Sequence, residues 1–228
     1  MKIDHIYCVN LERSKDRRLA MEKQFEHEEL DVEFFKACDG RAIGKDGVFG
    51  CAQSHLQIWR DVVEHGYGNA IILEDDAKLV PNFKTKIEEL VEPGTEWDIL
   101  YLFSLGAIFN RDCNESFYEG KSMSCLGYVI SKSCAERLCR LSCDDIDCAI
   151  DEFIAVKINL KTFISKNETV LYDFDMQYKS EIGLIASRQV TRWGLEHFIK
   201  WVDSKFGIYI LFMLFFVLSL ILYIRLRR

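Results

Sequence analysis

Short apolar runs alternate with longer, charge-rich segments through most of the chain. The runs are rich in β-branched and aromatic side chains and predict buried strands at residues 5–11, 32–37, 70–73, 97–103 and 126–131, with an extended segment at 162–164. The segments between them predict helices at about 14–30, 52–65, 82–91, 133–141 and 147–158. Strands that alternate with helices at this spacing predict an α/β fold, with a mostly parallel sheet flanked by helices.

The C-terminal part of the chain has a different pattern. Residues 206–224 (FGIYILFMLFFVLSLILYI) are uncharged and have no polar face, and as a helix they would reach about 28 Å, close to the thickness of a bilayer core. We therefore expect a transmembrane helix at 206–224, a linker at 199–205, a basic tail at 225–228 and a globular domain at 1–198. A buried core helix is the alternative, but such helices rarely lack a polar face.

The N-terminal residues run directly into the first predicted strand without an apolar signal segment. The expectation is a protein attached to the membrane by its single C-terminal helix, with the globular domain in the cytoplasm. Basic residues lie on both sides of the predicted span, so the charge pattern by itself allows either orientation.

Composition narrows the class of protein. The chain has 228 residues, a formal net charge of −7 and 49% hydrophobic residues, which argues against nucleic acid as a primary partner and against disorder. Its nine cysteines are expected to be reduced, structural thiols, although one or two bridges within 113–148 stay open. That cluster contains no Cys-x-x-Cys and no histidine, so its spacing does not favour a zinc site.

Three consecutive carboxylates, Glu74, Asp75 and Asp76, come directly after the apolar run 70–73. Ligands of open α/β sheets bind beyond the carboxyl ends of the strands, so this is where a ligand is expected. Neighbouring carboxylates repel one another, and a divalent cation such as Mg²⁺ or Mn²⁺, bridging substrate phosphates, would compensate their charge. From the triplet alone, an acidic surface turn is an equally good interpretation.

Four segments in order resemble glycosyltransferase family 25, which includes bacterial lipopolysaccharide glycosyltransferases and collagen galactosyltransferases. They are residues 6–18 (IYCVNLERSKDRR), 35–40 (FKACDG), 50–55 (GCAQSH) and 72–76 (ILEDD). The resemblance covers most of residues 3–182. It implies a GT-A-type, Rossmann-like catalytic domain that uses a nucleotide sugar and holds Mn²⁺ or Mg²⁺ through a DxD-like motif.

The resemblance also implies roles for individual residues. Asp76 would be the principal metal ligand, Glu74 would bind the metal or the donor's ribose, and Asp75 would complete the donor-binding motif. Around the first strand, the donor's base, ribose and phosphate would be bound by Asn10, Arg13, Arg17 and Asp39. Each also has an ordinary structural interpretation: a solvated helix start, favoured for Arg17, or an Asx turn for Asp39. A structural role is likewise favoured for His55.

Transfer with inversion, a property taken from the family, needs one general base for the acceptor hydroxyl. Asp151 matches the Asp-Glu-Phe pattern of the collagen enzymes and is the expected base, whereas Asp144 and Asp145 fit a solvated acidic face better. The expected function is transfer of a hexose, galactose or glucose, from a UDP-sugar to a glycan, lipid-linked or protein acceptor. A metal-dependent phosphohydrolase and a non-catalytic membrane adaptor that keeps the fold are the alternatives.

Overall fold

The computed structural model describes residues 1–173, which contain ten strands. They are β1 His5–Asn10, β2 Glu33–Lys36, β3 Asn69–Glu74, β4 Ala77–Leu79, β5 Ile99–Tyr101, β6 Ile108–Asp112, β7 Phe117–Lys121, β8 Gly127–Ser131, β9 Thr162–Ser165 and β10 Val170–Tyr172. The α-helices of this part are α1 Lys15–His27, α2 Gly47–His65, α3 Phe83–Glu88, α4 Lys132–Leu138 and α5 Ile150–Glu152. Short 3₁₀ turns lie at Arg41–Ile43 and Cys143–Asp145, and a π-helical turn at Phe153–Lys157 continues α5.

Eight strands form one sheet in the order β2-β1-β3-β8-β5-β9-β7-β6. Strands β1, β2 and β3 pair in parallel, and so do β5 and β9, whereas β8 and β7 run against their neighbours. Six of the eight strands therefore point the same way, which confirms the predicted α/β fold with a mostly parallel sheet. Strands β4 and β10 pair separately as a small antiparallel ladder.

The sheet is buried on both faces because its central strands alternate their side chains between two cores. On one face, Tyr7, Ile72 and Tyr128 pack with the apolar residues of α2 and α4. On the other face, Cys8 and Leu73 belong to a second core with α1 and α3. This double coverage explains why the central strands appear in the sequence as continuous apolar runs.

Several predicted boundaries are wrong. Helix α2 begins at Gly47, five residues before the predicted start, because the Asp46 side chain caps it by accepting from the Phe49 amide at 2.8 Å. Its end is as predicted, at Gly66 with φ +73°. The helix predicted at 147–158 is only α5 and its π-helical turn, and β5 is shorter than the predicted run 97–103.

The predicted membrane span at 206–224, the linker, the basic tail and the end of the predicted 1–198 domain lie outside the described residues. Within residues 1–173, none of the helices combines the length and the apolar character needed to cross a bilayer. The nine cysteines all lie in this part of the chain, and all are free thiols.

Candidate functional site

The acidic triplet lies at the carboxyl end of β3, beside the carboxyl ends of β1 and β2. Val9 of β1 is in register with Glu74, and Asn10 is the last residue of β1. The N-terminal ends of α1 and α2 follow the loops that leave β1 and β2. Side chains from several distant segments therefore meet at one edge of the sheet, as the sequence predicts.

Asp75 is held by two buried partners. The Asn10 side-chain amide donates to one oxygen of Asp75 at 2.7 Å, and Arg17 Nη1 donates to the other at 2.6 Å. All three side chains are buried, so the interpretation of Arg17 as part of a solvated helix start is wrong. Burial raises the pKa of Asp75, and Arg17 and Asn10 oppose that shift. The triad Asn10, Arg17 and Asp75 fixes α1 against the end of β3.

Asp76 is the carboxylate that its surroundings leave incompletely satisfied. Arg17 Nη1 lies 3.4 Å from its Oδ2, but its buried Oδ1 accepts no hydrogen bond from residues 1–173. Burial first, then the charge of Glu74, raises the pKa of Asp76 to about 7. The same two carboxylates contribute, after burial, to a pKa of about 12 for Tyr172. A buried carboxylate whose negative charge is only partly compensated fits a divalent cation with oxygen ligands.

Glu74 faces the buried side of helix α2, the side that carries His55. Its Oε1 lies 3.7 Å from His55 Nε2, a buried ring nitrogen without a hydrogen-bond partner among residues 1–173. The other nitrogen, Nδ1, is 2.8 Å from the Tyr128 hydroxyl, which also accepts from Trp59 Nε1 at 3.0 Å. His55 is therefore anchored on one side only, and its second nitrogen reaches the acidic edge. Burial and the contact with Tyr128 agree with the structural role that the sequence favours, whereas the approach of Nε2 to Glu74 was not predicted.

Asp151 lies in α5, packed against the same side of the sheet. Its pKa is raised to about 6, chiefly by burial, with the charge of Glu74 adding to the shift. The Asp151 charge in turn contributes to the raised pKa values of the Cys51 and Cys125 thiols. The fold thus brings this residue, distant in sequence, within electrostatic range of the triplet.

Arg13 and Asp39 form a more exposed rim. The two side chains are paired with each other, and Asp39 Oδ1 also accepts from the Ala42 amide at 3.3 Å. The contact with the Ala42 amide agrees with the interpretation of Asp39 as a turn residue. The pairing of Asp39 with Arg13 connects the loops that follow β1 and β2. Their contacts with a donor stay a prediction, as they do for Asn10 and Arg17.

Gly50 and Ser54 of α2 pack against Cys38, two residues beyond the end of β2. A Cβ on Gly50 would lie 2.6 Å from the Cys38 carbonyl oxygen, so only glycine allows this approach. The Ser54 hydroxyl accepts from the Cys38 amide at 2.9 Å and donates to the Gly50 carbonyl at 2.7 Å. This packing directs the helix face that carries Cys51 and His55 toward Glu74.

Comparison of the sequence with known proteins finds one matching protein family and several relatives. The family model described as glycosyltransferase family 25 (LPS biosynthesis protein) matches residues 3–49 and 45–154. A glycosyltransferase 25 family member of Aedes aegypti is 29% identical over 194 residues, covering 70% of this chain and 32% of that protein. Human procollagen galactosyltransferase 2 is 26% identical over 196 residues, covering 70% and 31%.

The chain thus spans about a third of the length of these two relatives. Among solved structures, mannose-1-phosphate geranyltransferase from Thermus thermophilus is similar with a TM-score of 0.46 at 10% identity, over 76% of each chain. The family model covers all four segments that meet around the triplet, including Asn10, the Gly50 packing and Glu74. With two thirds of its length matched and the motifs gathered at one edge of its sheet, the chain belongs to glycosyltransferase family 25.

Proposed function

We propose that this chain is a metal-dependent glycosyltransferase of GT-A type that transfers a hexose, galactose or glucose, from a UDP-sugar to a hydroxyl group. The observation that carries the proposal is the buried Oδ1 of Asp76, which has no hydrogen-bond partner among residues 1–173 and lies next to Glu74 at the carboxyl edge of the sheet. A glycan, a lipid-linked sugar or a protein side chain would supply the acceptor. Human procollagen galactosyltransferase 2 makes galactose the first donor to test.

Asp76 and Glu74 would hold Mn²⁺ or Mg²⁺, and Asp75 would keep the motif in place through Asn10 and Arg17. The cation supplies charge neutralisation for the diphosphate leaving group. Arg13 and Asp39, which form a rim beyond the ends of β1 and β2, would bind the donor's base and ribose. Family membership and the charge pattern of the site support these roles.

Asp151 would act as the general base. It would remove the proton from the acceptor hydroxyl as the bond from that oxygen to the anomeric carbon forms and the bond to the diphosphate breaks. A pKa of about 6 keeps this carboxylate charged at neutral pH and close enough to neutrality to accept a proton. One base and one displacement would invert the anomeric centre.

The proposal includes attachment to the membrane through residues 206–224, with the catalytic domain in the cytoplasm. The uncharged, helix-length segment supports the attachment. Protease protection of intact vesicles, with an antibody to the N-terminal domain, tests the orientation. Digestion of that domain in sealed vesicles whose cytoplasmic face points outward is the expected result, and protection would reverse it.

The activity test uses the full chain, radiolabelled UDP-hexoses and Mn²⁺. We expect manganese-dependent release of UDP that is lost in Asp76→Ala and retained in Asp144→Ala. Asp144 is an exposed aspartate and serves as the matched control. Phosphate release from simple phosphoesters instead of sugar transfer would indicate a phosphohydrolase. Absence of nucleotide-sugar binding in calorimetry would indicate an adaptor without activity.

A further inference from the structure

Three potential metal-binding atoms meet beside the acidic triplet, on the side away from Asp75. Cys51 and His55 lie one turn apart on α2, and Glu74 faces them from the end of β3. Their ligand atoms, the Cys51 sulfur, an imidazole nitrogen and a carboxylate oxygen, all lie within 4.8 Å of one another. His55 Nε2 and Glu74 Oε1 are 3.7 Å apart.

His55 is oriented as a metal-binding histidine requires. Its side chain is fully buried, and Nε2 has no hydrogen-bond partner among residues 1–173. With the ring proton on Nδ1, the Tyr128 hydroxyl can accept it, and Nε2 then directs a lone pair toward Glu74. Metal-bound histidines characteristically use their second nitrogen in this way, because that hydrogen bond fixes the ring. Trp59, which donates to the same hydroxyl, holds Tyr128 in turn.

From this geometry we propose that Cys51, His55 and Glu74 form a zinc site distinct from the cation site of the sugar donor. In tetrahedral zinc coordination, bond lengths of about 2.0–2.3 Å place neighbouring ligand atoms about 3.3–3.6 Å apart. The His55–Glu74 separation is already close to this range, and a side-chain adjustment of about 1 Å would bring in the Cys51 sulfur. Three protein ligands leave the fourth position for water or another small ligand.

The chemical types of the three ligand atoms decide which metal ion the site prefers. A thiolate and an imidazole favour zinc, whereas Mn²⁺ and Mg²⁺ favour carboxylates, carbonyls and water. The oxygen-only pair of Glu74 and Asp76 and the mixed set of Cys51, His55 and Glu74 therefore select different cations. Because Glu74 belongs to both, zinc at one site would reduce manganese binding at the other. The proposal goes beyond the transferase function and does not depend on it.

The test is a titration of the full chain with Co²⁺, a spectroscopic substitute for zinc, without any nucleotide sugar. The expected result is one equivalent of cobalt, with a thiolate-to-cobalt charge-transfer band in the near ultraviolet and the intense visible bands of four-coordinate cobalt. Excess zinc should remove both. Absence of a saturable charge-transfer band would overturn the proposal.

Variants assign the band to these residues. Cys51→Ser should remove the charge-transfer band and weaken zinc binding by more than about tenfold, since even indirect partners of metal ligands are worth about 10–100-fold. Cys113→Ser, a partly buried thiol elsewhere in the fold, is the matched control and should keep the band. Glu74→Gln should weaken cobalt binding while the thiolate band persists at higher cobalt.

Two further measurements distinguish loss of this zinc site from loss of the sugar-donor site and from misfolding. Asp76→Asn should keep the cobalt band even if it abolishes sugar transfer, so the two proposals fail independently. The melting temperature of each variant without metal shows whether it folds. A charge-transfer band that survives Cys51→Ser in a folded protein would overturn the proposal, because another of the nine thiols would then be the ligand.

Discussion

Replacing the two neighbouring aspartates should change stability in opposite directions. Asp76 has a buried oxygen without a hydrogen-bond partner among residues 1–173, whereas Asp75 accepts from Asn10 and Arg17. Asp76→Asn removes a poorly compensated charge and should raise the free energy of unfolding at pH 8 in the absence of divalent cations. Asp75→Asn removes one partner of a buried ion pair and should lower that free energy by about 3 kcal/mol.

The magnitude for Asp76 follows from its pKa. A folded-state pKa of about 7 against an ordinary value of 3.8 corresponds to about 4 kcal/mol of lost stability above pH 7. The asparagine amide stays buried and incompletely hydrogen-bonded, so the expected gain for Asp76→Asn is about 2–4 kcal/mol. An increase of this size at a site that loses its function would show that the carboxylate is retained for binding a cation.

The pH dependence has a definite sign. Between pH of about 4 and 7 the folded state keeps a proton on Asp76 that the unfolded chain has already released. The free energy of unfolding of the unsubstituted chain should therefore fall as pH rises through this window, and Asp76→Asn should weaken that fall. Asp151, whose pKa is raised to about 6, and Asp75, whose pKa is also raised by burial, contribute further slope of the same sign.

The assay is denaturant unfolding of the full chain in mild detergent with a chelator, followed by tryptophan fluorescence at several pH values. Adding Mn²⁺ should stabilise the unsubstituted chain and leave Asp76→Asn nearly unchanged, because only the former has the ligand. The reasoning is refuted if Asp76→Asn is less stable than the unsubstituted chain at pH 8, or if both proteins show the same pH slope.

Three further outcomes are expected. Asp151→Asn should lower kcat, while calorimetry finds an unchanged UDP-sugar affinity. The kcat of the unsubstituted chain should decline as pH falls below about 6, the pKa of Asp151. A kcat that does not change in Asp151→Asn would show that Asp151 is not the base. Gly50→Ala should lower the free energy of unfolding by about 1–3 kcal/mol, because the new Cβ would contact the Cys38 carbonyl. Gly94→Ala is the control: the space around its Cβ is open, so its free energy of unfolding should change by no more than about 0.5 kcal/mol. Equal melting temperatures of the two variants would contradict this. Zinc should inhibit manganese-dependent transfer competitively with manganese because both need Glu74, and a purely non-competitive pattern would argue against the shared ligand.

The central strands were predictable because they are buried on both faces. Residues 70–73 and 126–131 are continuous apolar runs, and the structure places β3 and β8 there with little change. The hairpin of β6 and β7 was not predicted, because its strands lie at the edge of the sheet and its first strand is largely exposed. Polar edge strands have no apolar run that distinguishes them from a loop.

Local chemistry along the chain was enough to predict the α/β class and to identify the acidic triplet as a candidate site. The period of the apolar runs gives the class, and the carboxylates that follow one run give the candidate. The family came from the resemblance of four short motifs in a set order.

Only the folded arrangement separates the roles within that centre. Asp75 and Asp76 are adjacent and identical in type, yet Asp75 accepts hydrogen bonds from Arg17 and Asn10, whereas Asp76 Oδ1 has no hydrogen-bond partner among residues 1–173. The approach of His55 to Glu74 likewise depends on how α2 packs across the sheet. Hydrogen bonding and desolvation act over a few ångströms between segments far apart in sequence, so these differences exist only after the chain has folded.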